Sequence, residues 1–498
     1  MAAIITEKFR QHNADQFFES FSEASKSTYY LFVGKATAFT SSTTGGSDSS
    51  PPTPSDGPAD TEFYAWDSML AAKNVTSSDI TYAIPRRNWS NGTTYDQYDD
   101  NISSSNTTTS GASNLYDSSF YFMTSDYRVY KVLDNNAGTA YSGAEPTSTS
   151  TSPFALGGYV LKYMYAITTS EAAKFLTSDF IPVSNDSTIS AAAVDGKIES
   201  IKVTAGTGYT NGTYYAAVYG DGTSAGTSSG AIIRITVASN QIQSFGLTAG
   251  SDTTIHAGGA GYTFGTVNLG AGYTFSDSGL SSASNMGGSG GAIEVVISPK
   301  NGHGNDAIGE LGGHYVMSAT TLTQAENDDI TTSNDFRQVG LVVDPTNYGT
   351  STVATASTRR QTFVVKAASS SGTFEVDEKI TQASTGAVGK VVEWDSTLSL
   401  LYFQQERFGD FGTNSTTGDH SVFTGANLIT GGTSSATLTP STDSETITLA
   451  NNNTLSTTSG YANPELQPDS GNIVYLENRK PIQRDSDQTE DIKLIIEF

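Results

Sequence analysis

The chain has 498 residues, enough for about three domains at roughly 150 residues each. Its 26 Lys and Arg stand against 51 Asp and Glu, a net charge of −25, which repels phosphate backbones and argues against nucleic-acid binding and against polybasic membrane contact. It has no cysteine, which excludes disulfide frameworks, thiolate metal sites and cysteine nucleophiles.

Charged residues are only 15%, and Ser, Thr, Asn and 49 Gly take their place, a bias that suits strands and turns over long helices. With 25 Tyr and 23 Phe the chain is too aromatic to be disordered. No run approaches the roughly 18 apolar residues of a membrane span. The opening MAAIITEKFRQHNADQ lacks the apolar core of a secretory signal, so a soluble protein made in a cytoplasm is expected.

Phe9, Phe17 and Phe21 share one helical face, with Thr6 as the candidate N-cap. Tyr29-Tyr30-Leu31-Phe32-Val33 reads as a buried strand. Residues 40–60 form a Ser/Pro/Gly loop, followed by a short amphipathic helix with Trp66 and Leu70 four apart. Residues 90–118 are a long polar excursion. The stretch FYFMTSDYRVYKVL, 120–133, predicts two strands around a turn at Ser125-Asp126. A loop covers 137–153, 159–167 alternates as a strand, Ser170 to Leu176 gives one or two helical turns, and Phe180 to Val183 follows as an apolar run.

From about residue 187 the texture becomes short strands between glycine turns. Gly206-Thr207-Gly208-Tyr209-Thr210 recurs 53 residues later as Gly259-Ala260-Gly261-Tyr262-Thr263. Ser229-Gly230-Ala231-Ile232 is loosely echoed by Gly290-Gly291-Ala292-Ile293. A second echo sets Phe374, Ile380-Thr381 and Gly386-Ala387 against Phe423, Ile429-Thr430 and Ser435-Ala436, 49 residues on. Each pair predicts a small β lobe rather than a solenoid, which needs more copies. Residues 336–345 predict a strand ending at Pro345. The C-terminal part gives a strand at Ile473-Val474-Tyr475-Leu476, a polar turn and a final strand at 492–496.

No catalytic, cofactor or metal constellation stands out. The five histidines, His12, His256, His303, His314 and His420, form neither HxH nor HExxH, and His303 and His314 read as loop residues. The Gly-x-Gly-Tyr turns open no helix and suit positive φ rather than phosphate. The run Asp485-x-Asp487-x-Thr489-x-Asp491 lacks the glycine and closing glutamate of a calcium loop. Two clusters are distinctive in so acidic a chain: Pro85-Arg86-Arg87-Asn88-Trp89 and Glu477-Asn478-Arg479-Lys480. Pro85, Arg86, Arg87, Trp89, Glu477, Asn478 and Arg479 are therefore candidates either for a protein contact, where Arg and Trp are favoured anchors, or for fixing the framework through bidentate pairs.

Six blocks in order carry a resemblance: Ile5-Thr6-x-Lys8-Phe9-Arg10, Ile84 to Trp89, Val129 to Asp134, Tyr159 to Tyr163, Phe336 to Val339, and Ile473 to Ile482 continuing into Asp487 to Ile492. Together they resemble the gene-eight baseplate wedge family of T-even-like contractile-tailed bacteriophages, over roughly 1–186, 300–350 and 462–498. The resemblance implies a strand-rich α+β fold, a β-sandwich flanked by α/β layered sandwiches. It implies a non-enzymatic virion subunit without cofactor that forms a homodimer, contacts the gene-six, gene-seven and gene-ten wedge proteins, and relays the baseplate rearrangement that triggers sheath contraction. Assembly in the host bacterial cytoplasm goes with it.

The expected division is a framework at 1–186, 293–350 and 462–498, interrupted by inserted Gly/Ser/Thr-rich β lobes at 187–292 and 351–461, each with an internal repeat. The inserts lie outside the resemblance. The alternative function is a carbohydrate-binding or depolymerising tail protein, suggested by the Gly-x-Gly-Tyr-Thr repeats and the aromatics. Neutral hydrogen bonds and Arg86, Arg87 and Arg479 are the candidates for offsetting repulsion between two such acidic chains.

Overall fold

The structure, a computed structural model, describes residues 5–39, 45–55, 60–222, 230–275, 279–323, 334–406, 420–449, 452–483 and 489–498. It is strand-rich, with 42% strand and 11% helix in several antiparallel sheets, a mostly-β α+β fold. Ser229 of the first echo and Asp485, Asp487 and Gln488 lie outside the described residues, as does part of the 40–60 loop. The chain forms two compact units. One contains Met1–Gln16, Thr81–Met317 and Ile495–Phe498, and the other Phe17–Ile80 and Ser318–Leu494. The 1–186 stretch is thus shared between both units.

In the second unit the central strand is Tyr29–Gly34. It pairs antiparallel with Met69–Val75 and with Phe336–Val343, placing Leu31 opposite Lys73 and Leu341. Thr358–Arg360 and Asn472–Ile482 form the two outer strands of this five-stranded sheet. Tyr29, Leu31 and Val33 join one apolar core, while Tyr30 and Phe32 join another with Trp66, Ala72, Val342 and Leu466. Burial of both faces explains an unbroken apolar run where a half-exposed strand would alternate.

The first unit contains a four-stranded sheet with Arg128–Asp134 and Tyr159–Ala166 at its centre. The expected alternation of 159–167 is absent because Tyr159 to Tyr165 are buried on both faces. The long 90–118 excursion is ordered by Asp96, whose buried carboxylate accepts the N–H and hydroxyl of both Ser110 and Ser119 at 2.7–3.0 Å. A Ser-rich loop is held here by side-chain hydrogen bonds in place of apolar packing.

Several local expectations change. The first helix is Glu7–Glu19, with Phe9 54% exposed and Phe21 beyond its end. The helix Asp60–Ser68 stops before Leu70, which lies in the strand Met69–Val75, so the Trp66–Leu70 spacing crosses a helix-to-strand junction. A further helix, Ser187–Ala192, precedes the glycine-rich region, capped by Asp186. His303 and His314 are loop residues by backbone but are buried.

Two seven-stranded sheets share one topology. In the first, one copy contributes Ser200–Tyr209, Gly212–Gly220 and Ile232–Ala238, and a second copy contributes Thr254–Ala257, Gly265–Val267 and Gly287–Val296. The two middle strands pair with each other, and the first strand of each copy pairs with the third strand of the other. The second sheet repeats this with Phe363–Ser371, Lys379–Gln382 and Ala387–Asp395 against Leu400–Gln404, Ile429–Gly431 and Thr437–Pro440. There the two first strands also pair, so six strands close into a barrel. Each copy leaves its first strand without a partner of its own, so neither can satisfy its ladder alone.

The Gly-x-Gly-Tyr turns lock the first sheet. Gly206 and Gly259 have φ of +58° and +60°, and Gly208 and Gly261 +76° and +73°. Each tyrosine folds over the first glycine and reaches into the other copy. Tyr209 Oη accepts the Gly291 N–H at 2.8 Å, and Tyr262 Oη accepts the Ala231 N–H at 3.0 Å. A methyl on Gly206 or Gly259 would meet its tyrosine ring at 2.7 Å, whereas nothing lies within 4 Å of one on Gly261. Gly206→Ala or Gly259→Ala should therefore cost about 3 kcal/mol or more, combining left-handed strain with a clash, and Gly261→Ala only about 1–2 kcal/mol of backbone strain. Thermal and urea unfolding of the three variants checks this, and equal losses would contradict it.

Candidate contact surface

The two cation clusters are built differently. Pro85 ends the strand Ile80–Pro85 and its carbonyl accepts Tyr121 Oη at 2.6 Å. Arg86 donates to the Thr177 carbonyl at 2.7 Å and to Asn88 Oδ1 at 2.9 Å. Arg87 donates to the Tyr116 carbonyl at 2.8 Å, and its guanidinium lies 4.5 Å from the Tyr121 ring centre. The Trp89 ring packs edge-on against Tyr141, and its backbone N–H donates to the Met123 carbonyl at 2.8 Å. In this geometry Arg86 and Arg87 bond to carbonyls, an amide oxygen and a ring rather than to a carboxylate fork.

Glu477, Asn478 and Arg479 lie on the outer strand Asn472–Ile482. Asn478 is tied down: Gln338 Nε2 donates to its Oδ1 at 2.8 Å and its Nδ2 donates to the Pro52 carbonyl at 3.0 Å. Glu477 accepts the Tyr475 hydroxyl at 2.8 Å and lies 3.7 Å from Arg479 Nε, both side chains remaining well exposed. Lys480 and Val474 are also exposed, so this strand presents charged and apolar groups to solvent.

The first unit holds a buried charged cluster that the motif reading does not single out. Lys131 Nζ donates to Glu310 Oε2 at 2.9 Å, lies 3.0 Å from His303 Nδ1, and sits 3.6 Å from the Tyr98 ring centre. Glu310 Oε1 accepts the Gly304 N–H at 2.6 Å. Burial pushes the Lys131 ammonium down despite the opposing charge of Glu310, and burial with the nearby Lys131 charge keeps His303 neutral. The ring then accepts from Lys131 at Nδ1, which assigns its proton to Nε2. The signal was present in the sequence as Lys131 and Lys162, each a charge inside an apolar strand.

A cavity of about 300 Å³ in the same unit is lined by Gln97, Asp99, Asp134, Asn135, Lys202 and Phe245, among others. Lys202 pairs with Asp99, whose carboxylate also accepts the Asn101 N–H at 3.0 Å and Asn106 Nδ2 at 3.1 Å. Asp134 is 7% exposed and accepts the Asn136 N–H at 3.0 Å. Burial raises its pKa to about 6, which that hydrogen bond only partly offsets.

These features define a strand-built protein with an exposed, charge-bearing sheet edge. The sequence matches the family described as Bacteriophage T4, Gp8 in residues 3–152 and 442–498, less than half of the chain. Over those two blocks the chain is similar to the Gp8 family, structural proteins of the phage baseplate. No curated protein matches the chain. The matched blocks include both cation clusters. Residues 153–186 and 300–350, where the resemblance was also expected, fall outside them, as do both seven-stranded sheets apart from the end of the second.

Because the folded pKa of Asp134 lies above that of a free aspartate, the folded state holds this proton more tightly. The carboxylate therefore costs stability as pH rises through about 6, and that cost vanishes in acid. Asp134→Asn should match the native chain near pH 4 and exceed it at pH 8 by about 2–3 kcal/mol, from a shift of roughly two units. Thermal midpoints across that range check the sign, and a variant less stable at pH 8 would refute it.

Proposed function

We propose that this chain is a non-enzymatic wedge subunit of a contractile tail baseplate. It assembles as a homodimer, binds neighbours resembling the gene-six, gene-seven and gene-ten proteins, and relays by rigid-body movement the rearrangement that triggers sheath contraction. The observation that carries this reading is the family match at both ends of the chain. Rigid-body relay suits a fold in which sheets are packed on both faces, because close-packed interiors shift between discrete arrangements rather than deform. Assembly in the host cytoplasm, with release by lysis, is part of the same proposal.

The two-copy strand exchange in each seven-stranded sheet supports a proposed division into framework and inserts. Framework residues 1–186, 293–350 and 462–498 carry the assembly role, and 187–292 and 351–461 are added lobes, each a pair of strand-exchanging copies. Pro85, Arg86, Arg87 and Trp89 fix the framework, Arg86 and Arg87 each donating to a backbone carbonyl of the same unit. Glu477, Asn478 and Arg479 stand at a contact.

Purified chain mixed with its wedge neighbours should co-elute on size exclusion at fixed stoichiometry, and mass spectrometry should find it in purified virions. Persistent separate elution together with absence from virions would overturn the assignment.

A further inference from the structure

An amine, a carboxyl group and a base are enclosed together in the first unit. Lys131 lies in the strand Arg128–Asp134, and Glu310 in the short helix Ala307–Leu311, capped by Asp306. The Lys131 and Glu310 side chains are 0% and 3% exposed and meet at 2.9 Å. His303 is enclosed as fully, with Nδ1 3.0 Å from Lys131 Nζ, and its Nε2 has no hydrogen-bond partner among the described residues. A buried polar atom left without a partner is a cost that packing alone does not explain. The Tyr98 ring covers a further side of the lysine, 3.6 Å from Nζ, and stands edge-on to the His303 ring.

We infer that Lys131 and Glu310 join in an amide bond, formed once by the folded chain acting on itself. The ion pair supplies both reactants. Transfer of one proton from Nζ to Glu310 Oε2 along their hydrogen bond leaves a neutral amine beside a neutral carboxylic acid, the form that burial favours for both groups. The amine nitrogen then attacks Cδ. The Gly304 N–H, 2.6 Å from Oε1, holds the oxygen on which negative charge develops. His303 Nδ1 accepts the proton that the nitrogen sheds and returns it to Oε2, which leaves as water. One C–N bond forms, one C–O bond breaks and one water is released, with no oxidant or co-reactant. The event occurs once per chain, which distinguishes it from enzymatic turnover.

Three features favour the bond over a lasting ion pair. Both partners stand on regular elements, so the reaction is intramolecular between groups already in contact, a large gain in effective concentration. A buried ion pair retains the desolvation cost of two charges, and a neutral amide removes it. Enclosure also keeps out the bulk water that would drive the reverse hydrolysis. Residues 131 and 310 flank the glycine-rich sheet that begins at Ser200 and ends at Val296. The bond therefore closes the chain around that sheet, and closing so long a loop constrains the unfolded chain. The inference goes beyond the wedge assignment and does not depend on it.

Mass spectrometry of the full native chain tests this directly. The intact chain should be lighter than its sequence by one water. Trypsin cannot cut after an acylated lysine, so digestion should yield one branched species joining residues 129–162 to residues 301–337. Lys131→Met and Glu310→Ala should each keep the full sequence mass. His303→Phe leaves the amine and the acid but removes the base, and freshly synthesised chain should then lose its water roughly a hundredfold more slowly. A native chain at full sequence mass, cut after Lys131 and giving no branched species, overturns the bond. Water loss that persists in Lys131→Met also overturns it, because the loss then arises elsewhere. Cross-linking of His303→Phe at the native rate overturns the role given to the histidine. The native chain carries the decisive measurement, so a variant that fails to fold leaves the test intact.

Discussion

Burial on both faces is the constraint around which the second unit is organised. A strand such as Tyr29–Gly34 cannot leave either face to water without exposing tyrosine, leucine, phenylalanine and valine together. It therefore needs two apolar layers and two flanking strands. One flank comes from the nearby Met69–Val75, but the other comes from Phe336–Val343, some three hundred residues away. Everything between must leave the sheet and return. This is how the chain can carry long intervening segments, since loop-closure cost grows only slowly with length.

The seven-stranded sheets meet the same need differently. Each is built from two short copies that exchange first strands, so the hydrogen bonds of one copy are completed by the other. The Gly-x-Gly-Tyr turn makes the exchange specific in the first sheet. The glycines allow the tyrosine ring to lie flat on the backbone, and its hydroxyl then meets an N–H of the opposite copy. The second sheet uses a carboxylate in a comparable way: buried Glu378 accepts the N–H groups of Thr433 and Ser434 at 2.9 Å and of Glu375 at 2.8 Å. Both devices add satisfied polar groups across the two copies to the apolar cores that the sheets enclose.

Much of this was legible in the sequence because it is local. A continuous apolar run marks the strand at 29–34, mostly apolar runs mark those at 128–134 and 336–343, and the glycine echoes mark the two copies. Non-local matters were not legible. The spacing of Trp66 and Leu70 fits a helix equally well, and only the pairing of Met69–Val75 with Tyr29–Gly34 decides that Leu70 is in a strand. His303 looks like an ordinary loop residue until Glu310 and Lys131 surround it, the latter 172 residues away. Phe9 matches the helical stripe by spacing yet stays exposed, because periodicity says which residues share a face and not what covers that face. The cation clusters were visible as rare positive charge, but their bonding was not. Whether a guanidinium meets a carbonyl or a carboxylate depends on which loop folds over it.

The net charge finally bears on assembly less simply than its size suggests. At physiological salt, fields beyond about 8 Å are largely screened, so two chains of −25 repel mainly through charges that come into contact. Cations such as Lys131, Lys162 and Lys202 already serve carboxylates or carbonyls inside the first unit. They cannot be released to an interface without leaving a buried carboxylate or carbonyl unpaired, which costs more than a surface pair returns. An assembly contact must therefore use cations that stand at the surface with little invested within the chain. Arg479, half exposed and held among the described residues by a neighbouring glutamate at 3.7 Å, meets that condition, whereas Arg86 and Arg87, donating at 2.7 and 2.8 Å to carbonyls, do not. The difference follows from how each guanidinium is bonded rather than from the sequence around it.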